Sequence, residues 1–527
     1  MKEQIVDAES LSGQFKAISV AEFFEKNRHL LGFENPTKAL ITIVKELVDN
    51  SLDACEDSRI LPNIRVFLKE VGSDRFKITV EDNGPGIVPD KLTSAFGKLL
   101  YGTKFHRLRM SRGQQGIGVS GSVLYSQLTT GKPVKITSST GKDVHIFDLM
   151  IDVAKNEPHV ISHKVEKNLK NWKGLKTELE TEGRYVEKGV SVLEYLKQTA
   201  IANPFANISY EGPNGKEEFK RAVNELPRQP KEIKPHPYGV ELGLLRRMLD
   251  STKTRNIIGF LTEEFSRVGR GTAEQICKLS KIDSKKKPVE LTHEEMERLH
   301  KSMQMVKLVA PPTNCLSPLG ENLLIEGLKK ETGVEFAVAV VRPPSVYRGM
   351  PFLIEVALGY GGQLPTDKTA QLFRFANKVP LLYHQGDCVT TEAVIDTDFR
   401  RYGFSQSSGQ IPNGPMVILI HFASVWVPYT SEGKQAIADY PEIMKEIKLA
   451  LQDAGRSLAS YVRHKNKLRD RQLRRELFEK YIPELAESLE KLTDKERKKI
   501  IGELEKIAKK GEVVGKEESK TESGNTG

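Results

Sequence analysis

The segment 45–54, Lys-Glu-Leu-Val-Asp-Asn-Ser-Leu-Asp-Ala, constrains what this chain can become more than any other stretch. At about 100° per residue, a helix here places Glu46, Asn50 and Asp53 within about 60° of one another, with Leu40, Ile43, Val44 and Leu47 as the adjoining apolar stripe. One side packs and the other faces a polar site. Two carboxylates and a carboxamide offer hard oxygens that suit Mg²⁺, and a carboxylate there can take a proton from an attacking water. Alone, the pattern equally fits an amphipathic helix with a solvated face.

The following segments sharpen the reading. The alternating strand Phe76-Lys77-Ile78-Thr79-Val80 runs into Glu81-Asp82-Asn83-Gly84-Pro85-Gly86-Ile87, where Gly84 and Gly86 let the backbone approach a ligand and Asp82 can accept from the exocyclic amine of adenine. Further on, Arg112-Gly113-Gln114-Gln115-Gly116-Ile117-Gly118-Val119-Ser120-Gly121 leads into the apolar Val123-Leu124-Tyr125. Successive backbone N–H groups at a helix start cradle polyphosphate. Residues 116–121 fit G-x-G-x-x-G, but they follow the polar stretch from Lys104 to Arg112 and no strand, which argues against a Rossmann site. The pairs Gly131-Lys132, Gly141-Lys142, Gly215-Lys216 and Gly433-Lys434 lack a following Ser or Thr, so no Walker-type loop is present.

An acidic/Asn helix, a DNGPG turn and a glycine lid, in that order, resemble the GHKL ATPase superfamily of type II topoisomerases, Hsp90 chaperones and histidine kinases. Ala21-Glu22-Phe23-Phe24, residues 95–101, Lys234-Pro235-His236-Pro237-Tyr238-Gly239, residues 374–381 and Ser431-Glu432-Gly433-Lys434-Gln435 are similar to the B-subunit family of archaeal-type DNA topoisomerase VI. The likeness runs from about residue 15 to about 490. It implies a multidomain α+β chain: a GHKL (Bergerat) α/β-sandwich ATPase domain with an N-terminal arm over 1–230, a helix-two-turn-helix domain over 231–311, and an S5-like α+β transducer over 312–475 with a long C-terminal helix. Residues 476–510 would then be a helical region contacting an A subunit, and 511–527 a disordered tail without aromatics.

The same resemblance implies Glu46 as general base, Asn50 as Mg²⁺ ligand, Asp82 as adenine contact, and Gly113, Gln114, Gln115, Gly116, Ile117, Gly118, Val119 and Ser120 as phosphate loop. Thr103 and Lys104 fall in the lid, Lys434 reaches the γ-phosphate from another domain, and Asp53, Gly84, Gly86 and Thr177 complete the nucleotide-binding set. The implied activity uses ATP and Mg²⁺: nucleotide-driven homodimerisation closes a gate and drives one DNA duplex through a double-strand break made by the A subunit of an A2B2 heterotetramer. Supercoils are relaxed and linked duplexes decatenated, in archaeal cytoplasm.

Composition is compatible with this. Lys plus Arg minus Asp plus Glu is 80 − 70 = +10, a modest excess suited to a polyanionic partner. Cys55, Cys277, Cys315 and Cys388 are scattered without C-x-x-C and read as reduced, packed thiols. The start Met1-Lys2-Glu3-Gln4 lacks signal-peptide character, and no run of about 18 apolar residues occurs, so a membrane span is not expected.

Punctuation places a linker at Pro227-Arg228-Gln229-Pro230 and Lys234-Pro235-His236-Pro237. Helices are expected over 242–249, 257–265 and 272–279, the last with Thr272 near its N-cap after Gly269-Arg270-Gly271. Lys281, Lys285, Lys286 and Lys287 stand near enough for phosphate contacts or plain solvation. Strands are expected over 335–341, 352–357, 379–384 and 416–427, with Gly433-Lys434 on a loop after a strand ending at Pro428-Tyr429. Beyond 450, Leu451, Ala454, Leu458, Tyr461 and Val462 mark a long helix, followed by a basic stretch over 465–475.

Asp396-Thr397-Asp398 has the spacing of a nuclease metal pair, but it lies in the sheet region and no tyrosine stands in a recognisable nucleophile motif. Among related classes, a histidine kinase places its nucleotide domain after a helical phosphoacceptor hairpin, whereas these motifs begin by residue 46. An Hsp90-like chaperone remains the alternative, disfavoured by the middle of the chain.

Overall fold

Asn35 starts the first long helix: its side chain accepts the Lys38 N–H at 2.9 Å and Pro36 occupies the first turn, where a missing N–H is harmless. The computed structural model describes residues 15–103, 107–113, 116–431, 433–493 and 495–507. Readings placed on residues 1–14, on Lys104, Gln114 and Gln115, and on the tail from 511 lie outside these.

Helices α1 (Val20–Lys26) and α2 (Pro36–Asp57) precede the antiparallel pair β1 (Asn63–Gly72) and β2 (Arg75–Glu81). Next come α3 (Pro89–Gly97), α4 (Gly118–Thr130), β3 (Val134–Ser139), β4 (Asp143–Asp152), β5 (Glu157–Lys167) and β6 (Gly174–Glu182). Helix α5 (Val192–Ala202), β7 (Asn207–Gly212) and β8 (Gly215–Phe219) complete an eight-stranded sheet of order β5-β4-β3-β6-β2-β1-β7-β8. Ile64, Val66 and Leu68 of β1 point into the core and their neighbours outward, the period-2 alternation of a sheet covered on one face. Leu40, Ile43, Val44 and Leu47 of α2 are buried in the same core, which makes this part an α/β sandwich.

A second core is wholly helical. It joins α6 (Leu242–Ser251), α7 (Ile257–Glu264), α8 (Arg270–Ser280) and α9 (His293–Met305) around Leu245, Phe260, Ile276 and Leu299. Asn256 caps α7, and Thr292 with Glu295 forms a capping box on α9. Helix α8 begins at Arg270 behind an N-cap at Gly269, two residues earlier than Thr272 suggested. Lys286 pairs with Glu295 at 2.7 Å.

After α10 (Glu321–Thr332) the strands β9 (Phe336–Val341), β10 (Ser345–Tyr347), β11 (Met350–Tyr360), β12 (Gln371–Ala376), β13 (Val379–Pro380) and β14 (Met416–Ser424) build a second sheet, of order β10-β11-β14-β12-β13 with β9 on β11. Helix α11 (Val389–Asp396) precedes β14, and α12 (Pro441–Leu492) ends the series. Strand β12 was not expected, and two expected strands are shorter. The 379–384 strand stops at Pro380 because the buried Arg374 guanidinium takes the carbonyls of Leu381 (2.7 Å) and Tyr383 (2.9 Å) away from any ladder. The 416–427 strand stops at Ser424, whose hydroxyl turns the chain by bonding Trp426.

The nuclease pair dissolves as well: Asp396 binds Lys448 and Asp398 binds Arg400 and Arg401. All four cysteines are buried free thiols. Among the described residues no helix is long and apolar enough to cross a membrane. The chain forms two compact units, residues 1–455 and 456–527. The second comprises the later part of α12 and the residues after it, and it leaves Leu468, Leu473, Leu477, Tyr481 and Leu485 exposed along the helix.

Candidate active site

Between α2, the β2 turn, α3 and the start of α4 lies a cleft of about 570 Å³, within the size range of small-molecule sites. Glu46, Asn50, Asp53, Asp82, Gly86, Thr103, Gly113, Gly116, Gly118, Val119, Ser120, Thr177 and Lys434 all line it, over an apolar floor that includes Leu47, Val80, Ile87 and Phe96. Two residues of the expected set stand elsewhere. Gly84 lies behind Asp82, and Ile117 lines a smaller cavity of about 60 Å³ that also meets Glu46, Gly118 and Lys434.

One end of the cleft is organised by Asp82. Its Oδ1 accepts the N–H groups of Gly84 (2.9 Å) and Leu175 (3.1 Å), and its Oδ2 accepts the Ser51 hydroxyl at 2.8 Å. These bonds aim the carboxylate and leave Oδ2 capacity for one more donor, such as an aromatic amine. Burial pushes the Asp82 carboxyl above the ordinary aspartate value, against the pull of those three donors. Gly86 has φ +71°, and a Cβ there would stand 2.3 Å from the Ser139 carbonyl oxygen, so only glycine fits this turn. Thr177, buried on β6, sits opposite Val80 of β2.

The other end is an anion cradle. Helix α4 starts at Gly118 with no side-chain cap and no acidic residue in its first turn. Its first N–H groups and the positive end of the helix dipole therefore face the cleft, with the Glu46 carboxylate beside them. A Cβ at Gly118 would lie 1.8 Å from Glu46 Oε2, so any other residue here displaces the Glu46 carboxylate. Glu46 thus lies against the start of α4.

A buried group supports it from behind. Lys45 Nζ lies 3.1 Å from Glu46 Oε1 and 3.3 Å from Asp49 Oδ2, and the Tyr195 hydroxyl donates to Asp49 Oδ1 at 2.9 Å. Burial works against the Lys45 charge, but the two carboxylates outweigh it and raise its pKa. Lys45 and Asp49 were not singled out in the sequence, though their i,i+4 spacing beside Glu46 is a legible signal.

Asn50 donates from Nδ2 to the Glu46 carbonyl at 2.6 Å, which assigns its amide orientation and reserves Oδ1 for other partners. That oxygen suits Mg²⁺, which favours few protein ligands together with phosphate and water oxygens. Among the described residues no cluster of three His, Cys, Asp or Glu could hold a metal by itself.

Asp53 differs from the expectation of a third converging metal oxygen. Its Oδ1 is taken by Arg112 Nη1 at 2.7 Å, both side chains buried, so although Asp53 lines the cleft its charge is already matched. Arg112, immediately before Gly113, carried no local sign of this role, since its partner is 59 residues away. Lys434 enters the cleft from the loop after β14, in a left-handed conformation with φ +52°.

A buried carboxylate on a glycine turn, a glycine-started helix and a second carboxylate beside it are the arrangement of the histidine kinase-, DNA gyrase B- and HSP90-like ATPase class, and residues 35–153 match that family. Residues 311–474 match the topoisomerase VI B subunit transducer family. Proteins named as the B subunit of type 2 DNA topoisomerase 6 are similar along most of the chain. That of Methanococcoides burtonii is 47% identical over 92% of this chain and 78% of its own, and that of Methanosarcina barkeri 46% over 93% and 79%. The Pyrococcus horikoshii protein is 40% identical over 94% and 95%. The chain belongs to the B-subunit family of type 2 DNA topoisomerase 6 and is the ATP-hydrolysing subunit of an ATP-dependent topoisomerase. The ATPase match alone is shared with chaperones and kinases; the transducer match and these relatives separate the chain from an Hsp90-like chaperone.

Proposed function

We propose that this chain is the ATP-driven clamp of an A2B2 type IIB topoisomerase acting on double-stranded DNA, and that ATP brings two copies together through the ATPase portion. The observation that carries this is Lys434: a residue from the loop after the second sheet shares one cleft with Glu46, Asn50 and Asp82 of the first. A lysine there meets the γ-phosphate through a charge-assisted contact present with ATP and lost after phosphate leaves. Its energy differs between nucleotide states, which is what biasing the arrangement of two domains requires.

In this reading Asp82 reads adenine, helped by Thr177, Gly84 and Gly86, while the N–H groups from Gly113 to Ser120 and the lid around Thr103 hold the phosphates. Asn50 Oδ1 would hold Mg²⁺, which neutralises phosphate charge when bound. Glu46 accepts the proton of the attacking water, kept in place by Lys45 and the wall of Gly118. The division of labour follows the segments read from the sequence: ATPase portion to 230, helix-two-turn-helix over 231–311, transducer over 312–475, and a helical A-subunit contact over 476–510. A cytoplasmic location goes with this reading.

The test is ATP hydrolysis by the isolated chain with and without duplex DNA, together with its oligomeric state in a non-hydrolysable ATP analogue. DNA-stimulated turnover and analogue-dependent dimers are expected. A monomer in saturating analogue, with turnover indifferent to DNA, would return the chain to the chaperone-like reading.

A further inference from the structure

The segment leading into the phosphate loop is built into the second sheet as much as into the first. Met110 packs with Leu353, Ala423 and Val425, the Met110 N–H donates to the Cys315 carbonyl at 2.9 Å, and Asn377 Nδ2 donates to the Ser111 carbonyl at 3.0 Å. The next residue, Arg112, pairs with Asp53 and, through Nη2, with Glu56. The second oxygen of Glu56 receives Lys378 Nζ at 2.8 Å, and that ammonium also meets Ser317 Oγ at 3.1 Å. Arg112 and Lys378 are almost wholly buried, so one carboxylate joins a cation of the lid base to a cation of the transducer.

Lys378 is in turn set rigidly. Its backbone N–H donates to His421 Nε2 at 2.9 Å, so the His421 proton sits on Nδ1 and is donated to Glu355 at 2.6 Å. Glu355, directly across from His421 on β11 and β14, also accepts the N–H groups of Leu319 and Gly320. Asn377 and Lys378 form the two-residue connection from β12 to β13, with φ +49° and +68°. Positive φ at both positions is the geometry of a tight two-residue hairpin turn, which fixes the direction in which the two side chains leave the sheet.

We propose that the Asn377-Lys378 turn, acting through Glu56 and Arg112, is a second link between the phosphate loop and the transducer, separate from Lys434. A nucleotide bound against Gly113 then displaces the neighbouring Ser111 and Arg112, and the transducer turn moves with them. Asn377 and Lys378 are positioning residues in this scheme and touch no nucleotide. The inference rests on the ATP-driven reading above.

The test uses the full chain carrying a distance probe between the ATPase portion and the transducer, read with ADP and with a non-hydrolysable ATP analogue. In the pair variant Glu56→Gln/Lys378→Met both charges leave together, so no buried ion is stranded and folding, checked by thermal melting, is kept. Nucleotide affinity and turnover are expected within about threefold of the parent, while the analogue-induced distance change falls by at least about half; the single variant Lys378→Arg, which retains the charge pair with Glu56, keeps it. A folded pair variant with the parental distance change overturns the proposal. Should the pair variant not fold, Asn377→Gly suits the left-handed turn and removes the bond to Ser111, and a parental distance change there overturns it equally. If the parent binds analogue without any distance change, the ATP-driven reading itself fails.

Discussion

Asp82 accepts three hydrogen bonds before any ligand arrives, and its burial raises its pKa. A donor from adenine favours the ionised form, so binding lowers that pKa again and the two events are linked. The sign follows: adenine-nucleotide affinity is full above the raised pKa and declines as pH falls through it, a window above the ordinary aspartate value near 3.9. Titration calorimetry across acidic pH should show proton release on binding. Affinity flat down to the ordinary aspartate range would remove Asp82 from the adenine contact. Glu46→Gln tests the other end of the cleft. The amide is nearly isosteric yet takes no proton, so hydrolysis should drop by about 10²-fold or more while analogue-driven dimerisation persists. Turnover near the parent's would mean that another group activates water.

At the scale of elements, the helix α4 start and the loop of Lys434 line one cleft, and in the proposed reading they act on the same phosphates. Gly118→Ala forces a methyl into Glu46 Oε2, displacing base or helix, and even a shift of 1 Å in such a site costs on the order of 10²-fold in rate. Activity close to the parent's would show that Glu46 does not work from this position. Lys434→Ala should leave ADP affinity nearly unchanged, reduce ATP hydrolysis and weaken the analogue-induced rotation of the transducer, the remainder being carried through the Lys378 link. Normal hydrolysis with the same rotation would make Lys434 a surface lysine. The two halves were unequally legible. Glycines and carboxylates in a fixed local order announce a phosphate cradle, and the α2 stripe of Leu40, Ile43, Val44 and Leu47 is buried as its spacing requires. Lys434 has no local signature and was reached by resemblance alone. Arg112, Glu56 and Lys378 were not legible at all, because their meaning lies in pairs 56 and 322 residues apart. The overlong strand at 379–384 misled for a related reason: its apolar residues suit a ladder, but a buried arginine from a neighbouring strand captures their carbonyls.

For the whole molecule, the chemistry described is confined to nucleotide. Incubated alone with supercoiled DNA, ATP and Mg²⁺, the chain should neither cleave nor relax it, since the Asp396 and Asp398 carboxylates are bound to Lys448, Arg400 and Arg401. A covalent protein–DNA adduct from the isolated chain would revive them as metal ligands. A different boundary is drawn by packing. Ile201, Ala202 and Phe205, at the end of α5, are buried with Leu328, Phe373, Phe375 and Leu419 of the second sheet and its helix, and a Cβ on Gly327 would stand 2.2 Å from the Ile201 carbonyl. A fragment cut near residue 230 would keep every cleft-lining group but Lys434 and yet carry that seam bare, at about 1.5–3 kcal/mol for each large side chain returned to water. The smallest piece that melts as a unit is therefore longer than the piece that binds nucleotide, and mutations in the seam should be felt first as lost solubility of fragments.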